Sequence, residues 1–286
     1  MDYNLCDVNT VTKLLKKHGF SFSKSLGQNF IVDDEVCPKM ADYLGADENT
    51  GVIEIGTGVG VLTKELCKRA GRVVAVELDR RLFPLIDETL GDFDNLEIVE
   101  GDILKLDINA LIKEKFKDYK TVKVCANLPY YITSPVITRL LEERANIDEI
   151  VVMVQREAAQ RLCAKLGTRE AGVISAAVEY YGEAEELFEV GRECFVPSPK
   201  VDSAVIKITL RSEPPYIIDN EGAFFSLIKS AFSKRRKTLI NSLSSTSSYS
   251  KQEILSALNA VSLSENVRAE NLTMEDFVNL YNELKG

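Results

Sequence analysis

Val52-Ile53-Glu54-Ile55-Gly56-Thr57-Gly58-Val59-Gly60 decides how this chain is read. A short apolar run ends in a glycine cluster, and a helical pattern over 61–68 follows at once. That arrangement predicts a buried strand feeding a helix through a tight turn. Glycines there let backbone approach a ligand closely, because no Cβ intervenes. The spacing is G-x-G-x-G, and alone it marks no more than a turn.

The same alternation continues downstream. Runs at 72–77, 96–99, 121–126 and 150–154 read as strands, with helical patterns at 82–90, 135–143 and 156–165. Strands alternating with helices predict βαβ units and a parallel sheet. Strand-like runs at 185–190 and 203–210 flank a Pro-rich loop and are expected to pair antiparallel. Upstream, 9–18 reads as a short basic helix, 19–30 as a loop with interleaved aromatics, and 34–44 as another helix. Beyond Ser212-Glu213-Pro214-Pro215 only helical runs occur, at 221–233, 235–243, 251–260 and 273–284. The expectation is an α/β domain over 1–211 with an N-terminal helix-and-loop extension, and a helical domain over 212–286.

Composition narrows the chemistry. Lys and Arg number 35 against 44 Asp and Glu, a net charge of −9 in 286 residues. Bulk charge therefore does not attract polyanions, and only local basic faces can. The six cysteines, Cys6, Cys37, Cys67, Cys125, Cys163 and Cys194, are scattered without a C-x-x-C pair. With His18 as the single histidine, the chain lacks the grouped ligands of a zinc site or a histidine base. The cysteines read as reduced thiols, and His18 as a solvated side chain. Residues 1–18 carry charges throughout, and no run reaches the ~18–20 apolar residues of a membrane span. The expectation is a cytoplasmic monomer with no metal and no membrane role.

Acids close the successive strands. Glu54 lies inside the first strand end, Glu77 ends the second, and Gly101-Asp102 follows the third. Such positions form the ligand crevice of an open α/β sheet. Glu77 suits two ribose hydroxyls and Asp102 an adenine amine, while nothing anchors a pyrophosphate. The set favours S-adenosylmethionine over a dinucleotide. After the fourth strand comes Asn127-Leu128-Pro129-Tyr130. The Asn127 amide oxygen and the Leu128 carbonyl can accept from the amine of adenine and stabilise positive charge developing on its nitrogen. Pro129 stiffens the turn, and Tyr130 offers a stacking face. Within Phe195-Val196-Pro197-Ser198-Pro199, Phe195 is expected in an exposed, rigid loop as a second wall for a flipped base.

These residues identify a family. The chain resembles the ribosomal RNA adenine dimethyltransferases, and within them the small-subunit branch. The likeness rests on Lys24-Ser25-Leu26-Gly27-Gln28-Asn29-Phe30, 54–60, Glu77, Gly101-Asp102, 127–135, 195–205 and Arg235-Arg236-Lys237-Thr238-Leu239 with Asn241-Ser242-Leu243. It departs at Thr57, where the pattern carries Pro, and in the loop 166–172. The resemblance implies a Rossmann-like class I S-adenosylmethionine-dependent methyltransferase with a seven-stranded, mainly parallel sheet and a small C-terminal all-helical domain that contacts RNA. It implies dimethylation of two adjacent adenosines in a hairpin loop near the 3′ end of small-subunit (16S) rRNA, within an immature 30S-like subunit. It places Gln28, Asn29, Ile31, Gly56, Gly58, Gly60, Glu77, Asp102, Ile103 and Asn127 at the cofactor. It places Asn127, Leu128, Pro129, Tyr130 and Phe195 at the target base.

Three basic groups then become RNA candidates: Lys13, Lys16, Lys17 and Lys24; Arg156, Arg161, Lys165 and Arg169; and Lys234, Arg235, Arg236 and Lys237. The nearest rival is a large-subunit (23S) rRNA methyltransferase conferring macrolide resistance. Tyr131 and the run 199–205 favour the small-subunit branch. A transcription factor of the same lineage, with dispensable catalysis, fits poorly with an intact Asn127–Tyr130 element.

Overall fold

Strands apolar on both faces belong inside a sheet that helices cover from two sides. The computed structural model describes residues 3–23 and 27–285. In chain order its first half holds α1 (Val8–Lys17), β1 (Phe30–Ile31), α2 (Val36–Leu44), β2 (Thr50–Ile55), α3 (Val61–Cys67), β3 (Arg72–Glu77), α4 (Phe83–Leu90), β4 (Leu96–Glu100), α5 (Ile108–Lys115), β5 (Thr121–Asn127) and α6 (Thr133–Glu142). The second half holds β6 (Glu149–Gln155), α7 (Arg156–Cys163), α8 (Val173–Tyr181), β7 (Gly182–Val190), β8 (Phe195–Val196), β9 (Ser203–Leu210), α9 (Glu221–Phe232), α10 (Leu239–Leu243), α11 (Lys251–Ala260) and α12 (Met274–Leu284).

Seven strands form one sheet in the order β4-β3-β2-β5-β6-β9-β7. The pairs β2–β3, β2–β5, β3–β4 and β5–β6 are parallel, and β6–β9 is antiparallel. The chain runs outward from β2 to β4, then returns to β5 on the other flank of β2. That reversal is the switch point where open α/β sheets hold ligands. Register aligns the working ends: Ile55 lies opposite Val76, Glu77 opposite Glu100, and Glu54 opposite Cys125. Every residue of β2 is buried, Glu54 included.

A second, two-stranded sheet pairs β1 with β8, setting Phe30 opposite Val196 and Ile31 opposite Phe195. All six cysteines are free thiols, with Cys37, Cys67 and Cys125 buried. Among the described residues, no helix is long and apolar enough to cross a membrane.

The chain divides into two compact units. One joins the residues up to Ala159 with Glu185–Leu210; the other joins Gln160–Ala184 with the residues from Arg211 onward. The single boundary expected at 211 is corrected in this respect: 160–184 packs with the helical unit. The cause is aromatic. The Tyr181 ring stacks on Phe225 with centroids 5.6 Å apart, and Tyr180 lies edge-on to Phe225 at 5.5 Å. Both hydroxyls donate to the Glu221 carboxylate at 3.0 Å.

Two further differences follow from local chemistry. The helix expected over 235–243 begins only at Leu239, behind Thr238 in an extended conformation. Lys234, Arg235, Arg236 and Lys237 instead form an exposed turn closed by the Lys237 amide on the Lys234 carbonyl at 2.8 Å. In α8 the β-branched and aromatic residues mask the helical period.

Candidate active site

A cleft of about 220 Å³ opens where β2, β3, β4 and β5 end. It lies wholly in the first unit, and its walls come from the strand-end loops, 27–31 and Phe195. The glycine loop forms its floor. Gly56 has φ +78°, and a Cβ built there meets nothing within 4 Å, so bare backbone faces the open space. Gly60 behaves differently. A Cβ there would come within 2.7 Å of Leu90, and Gly60 does not line the cleft. It closes the turn by donating its amide to Thr57 at 2.9 Å, so its role is packing rather than cofactor contact.

Three acids line the cleft, Glu54, Glu77 and Asp102, and among the described residues no lysine or arginine does. Glu77 Oε2 accepts from the Thr57 hydroxyl at 2.8 Å and the Gly58 amide at 3.3 Å, while Oε1 accepts from the Asp79 amide at 2.7 Å. Thr57 is therefore not idle where the family pattern carries Pro: it ties the glycine loop to the acid of the next strand. Asp102 accepts from the Leu104 amide at 3.0 Å and pairs with Lys105 at 3.3 Å. Arg139 on α6 stitches the same loop through the Ile103 and Leu106 carbonyls, at 2.8 and 2.7 Å.

Glu54 is fully buried, and neither carboxyl oxygen has a hydrogen-bond partner. Burial outweighs the nearby Thr63 hydroxyl and, with the Glu77 charge beside it, pushes its pKa up to about 8. An orphaned acid is costly unless something cationic reaches it. The donor set thus fits a cofactor carrying positive charge, such as the sulfonium and ammonium groups of S-adenosylmethionine, and disfavours a pyrophosphate. Among the described residues, no group of three or more potential metal ligands gathers.

The end of the cleft where a target base is expected is built on the turn after β5. Asn127 Nδ2 donates to the Asn29 carbonyl at 3.3 Å, which fixes the amide orientation and leaves Oδ1 as acceptor. The Tyr130 hydroxyl lies 2.7 Å from Ser203 Oγ, and Ser203 is fully buried on β9. Leu128 is buried, with its amide donated to Met153 at 3.1 Å. Phe195 lines the cleft but is only 3% exposed, packed among Phe30 and Ile31. The exposed loop position expected for it is corrected: the β1–β8 pairing draws Phe195 into the core, and its ring is both core and wall.

The other expected residues, Gln28, Asn29, Ile31, Gly58, Ile103 and Pro129, also line the cleft. Gln28 is held from both ends, donating to Asp79 at 2.8 Å and accepting from the Ser23 amide at 3.0 Å. Lys24, Ser25 and Leu26 lie outside the described residues. Sequence reasoning missed Ser203, Asp79, Leu78 and the cleft-lining place of Tyr131. Leu78 follows Glu77 directly and was open to inference; the Tyr130–Ser203 contact spans 73 positions and carries no local signal.

The basic groups divide. Lys17 is bound to Glu88 at 2.6 Å, and Arg156 to Glu189 at 2.6 Å. His18 is not a solvated side chain: its ring meets Glu88 at 2.8 Å, as does the Tyr3 hydroxyl at 2.5 Å. Lys17, then Tyr3 and His18, hold the Glu88 carboxyl down to about 2. In the second unit, Arg235 donates to the Arg169 carbonyl at 2.6 Å. That bond brings Arg169 at the end of the 165–169 loop against the exposed 234–237 turn.

A glycine turn at the switch point, acids at three neighbouring strand ends and an Asn-Leu-Pro-Tyr turn beside them define a class I methyltransferase. The model for "Ribosomal RNA adenine dimethylase" matches residues 19–286. The chain belongs to that family. It is 46% identical to a "Ribosomal RNA small subunit methyltransferase A" of Geobacillus thermodenitrificans over 95% of this chain and 94% of that protein. Its fold is similar to a dimethyladenosine transferase from Plasmodium falciparum, with 24% identity, TM-score 0.72, and coverage of 90% and 98% of the two chains. The 23S rRNA methyltransferase ErmE shares 25% identity at TM-score 0.67, over 90% of this chain and all of that one (100%).

Proposed function

We propose that this protein transfers methyl groups from S-adenosylmethionine to the exocyclic amines of two adjacent adenosines near the 3′ end of small-subunit rRNA. It acts as a cytoplasmic monomer on an immature small subunit. The observation that carries the reading is the juxtaposition of an acid-lined cleft with Asn127 and Tyr130 at one end. The 46% identity to a small-subunit methyltransferase supports that branch over the large-subunit alternative.

Bound S-adenosylmethionine supplies a methyl group already activated on a sulfonium sulfur. Glu77 offers acceptors to the ribose, Asp102 to the adenine amine, and Glu54 a counter-charge. Gly56 and Gly58 let the backbone close in. The target amine is a poor nucleophile, because its lone pair is delocalised into the ring. Asn127 Oδ1 and the Leu128 carbonyl accept hydrogen bonds from it, favouring a pyramidal nitrogen and stabilising the charge that would develop as the new C–N bond forms while the methyl–sulfur bond breaks and its electron pair stays on a neutral thioether. Tyr130 and Phe195 hold the ring in line. The proton lost afterwards comes from a cationic nitrogen and passes to solvent without a strong base, which suits a cleft whose described lining holds no histidine. In the second unit, the Lys165–Arg169 loop and 234–237 turn supply phosphate contacts.

The test is labelled-methyl transfer to immature small subunits, with large-subunit RNA and free RNA as controls, followed by nucleoside mass analysis. Dimethyladenosine confined to small-subunit rRNA is expected. Label in large-subunit RNA moves the protein to the resistance branch. No label, with tight cofactor binding, overturns the enzymatic reading.

A further inference from the structure

Tyr131 is the residue of the Asn127–Tyr131 turn that the chemistry above leaves unused. It lines the cleft, yet it is 55% exposed. Its neighbour Tyr130 is half-buried and tied to Ser203. The two tyrosines open a single turn of 3₁₀-helix, Tyr130–Ile132, in which successive side chains point about 120° apart. One therefore faces the core and the other the mouth.

The ring is not adrift. A Cβ on Gly27 would sit 3.3 and 3.5 Å from two ring carbons, so the edge of Tyr131 rests on the Gly27 backbone. Gly27 itself has φ +59°, a conformation other residues adopt only with strain. A larger residue would both strain the loop and push the ring. The structure thus keeps an aromatic face braced at one edge and open to solvent. The other exposed apolar side chain at the mouth, Leu78, is 50% exposed and follows Glu77, so it belongs with the cofactor end.

We propose that Tyr131 is a second stacking platform, holding the nucleobase next in the RNA chain to the adenine being methylated. This rests on the rRNA reading above. Drawing one adenine out of a hairpin loop leaves its neighbour without a stacking partner. Single-stranded RNA bases seek aromatic faces in that situation. Tyr131 directly follows Tyr130, the residue proposed to hold the target ring, and both line the same cleft. It would also steady whichever of the two adjacent adenosines is awaiting its turn.

The test compares Tyr131→Ala, Tyr131→Phe and Tyr131→Leu on immature small subunits, with cofactor affinity measured by calorimetry for each. The Ala and Leu variants should raise KM for the subunit roughly tenfold, with cofactor affinity and kcat at saturation unchanged. The Phe variant should stay within about twofold of wild type, because stacking needs the ring and not the hydroxyl. A wild-type KM for Tyr131→Ala overturns the proposal. So does rescue by Leu equal to that by Phe, which would mean simple apolar cover. Wild-type enzyme on small- and large-subunit RNA tests the proposed function separately. The variant ratios are read on whichever rRNA the wild type methylates.

Discussion

The hydroxyl of Tyr130 lies 2.7 Å from that of Ser203, a residue with no exposed surface on β9, two strands over from the β5 that leads into Tyr130. Burial raises the Tyr130 pKa, so the ring stays a neutral phenol at physiological pH. Ser203 pins the far end of the ring and leaves its face clear. Ser203→Ala should therefore lower turnover about fivefold, the worth of one neutral hydrogen bond, with cofactor affinity unchanged. Tyr130→Phe should do the same, and the double variant no worse than either. Additive losses in single-turnover assays would show that the two residues act separately.

Glu54 makes the cofactor site pH-sensitive. Its carboxyl titrates near roughly 4.3 in the unfolded chain and at about 8 in the folded one. Between those values the native state holds the extra proton, so stability from this group is full at low pH and is lost as pH rises through about 8. Glu54→Gln should raise the unfolding temperature of the cofactor-free protein at pH 8 and flatten its decline above pH 5. S-adenosylmethionine affinity should rise with pH up to about 8 in the wild type and stay flat in the variant. Calorimetry in buffers of different ionisation enthalpy should detect a proton released on binding. The nearby Cys67 thiol, pushed up to about 12 by burial, stays neutral throughout.

Glu77 already serves the protein before it serves a ligand, through Thr57, Gly58 and the Asp79 amide. Glu77→Ala removes the ribose acceptors and the brace of the glycine loop together. Cofactor affinity should fall at least tenfold, since hydrogen bonds to a charged group are worth about 1.5–3 kcal/mol. Thr57→Val, which removes only the brace, should cost less than about threefold. Unchanged affinity for Glu77→Ala would remove this residue from the cofactor site.

The basic turn of the second unit predicts a salt signature. Replacing Lys234, Arg236 and Lys237 by Ala should weaken binding to rRNA and reduce the slope of log K against log salt by about 2, at roughly 0.7 per phosphate. Cofactor affinity should not change. Filter binding over a salt series decides it, and an unaltered slope would mean that these side chains meet no phosphate.

The strands were legible because β3 and β6 carry unbroken apolar runs at 73–76 and 150–154, and those of β2 and β5 are broken only by Glu54 and Lys123; Glu77 stood out because it ends such a run, and Asp102 because it follows Gly101 just past the third strand. Asn127 and Tyr130 were legible through their turn. What escaped depends on partners distant in sequence. The two-residue strands β1 and β8 have no period to detect and exist only as a pair. Tyr180 and Tyr181 look like strand residues until Phe225 and Glu221 are in place around them. The isolation of Glu54 is a three-dimensional fact: its sequence neighbours reveal that it is buried, not that nothing answers its carboxyl.

The small pairing of β1 with β8 has a kinetic meaning. It sets Ile31 directly opposite Phe195, so a residue proposed for the cofactor and one proposed for the base are backbone-bonded to each other. If the proposed cofactor and RNA each stiffen this ribbon, reciprocity requires each to tighten the other by the same factor, and a pre-loaded small molecule would then meet the RNA with a site already set.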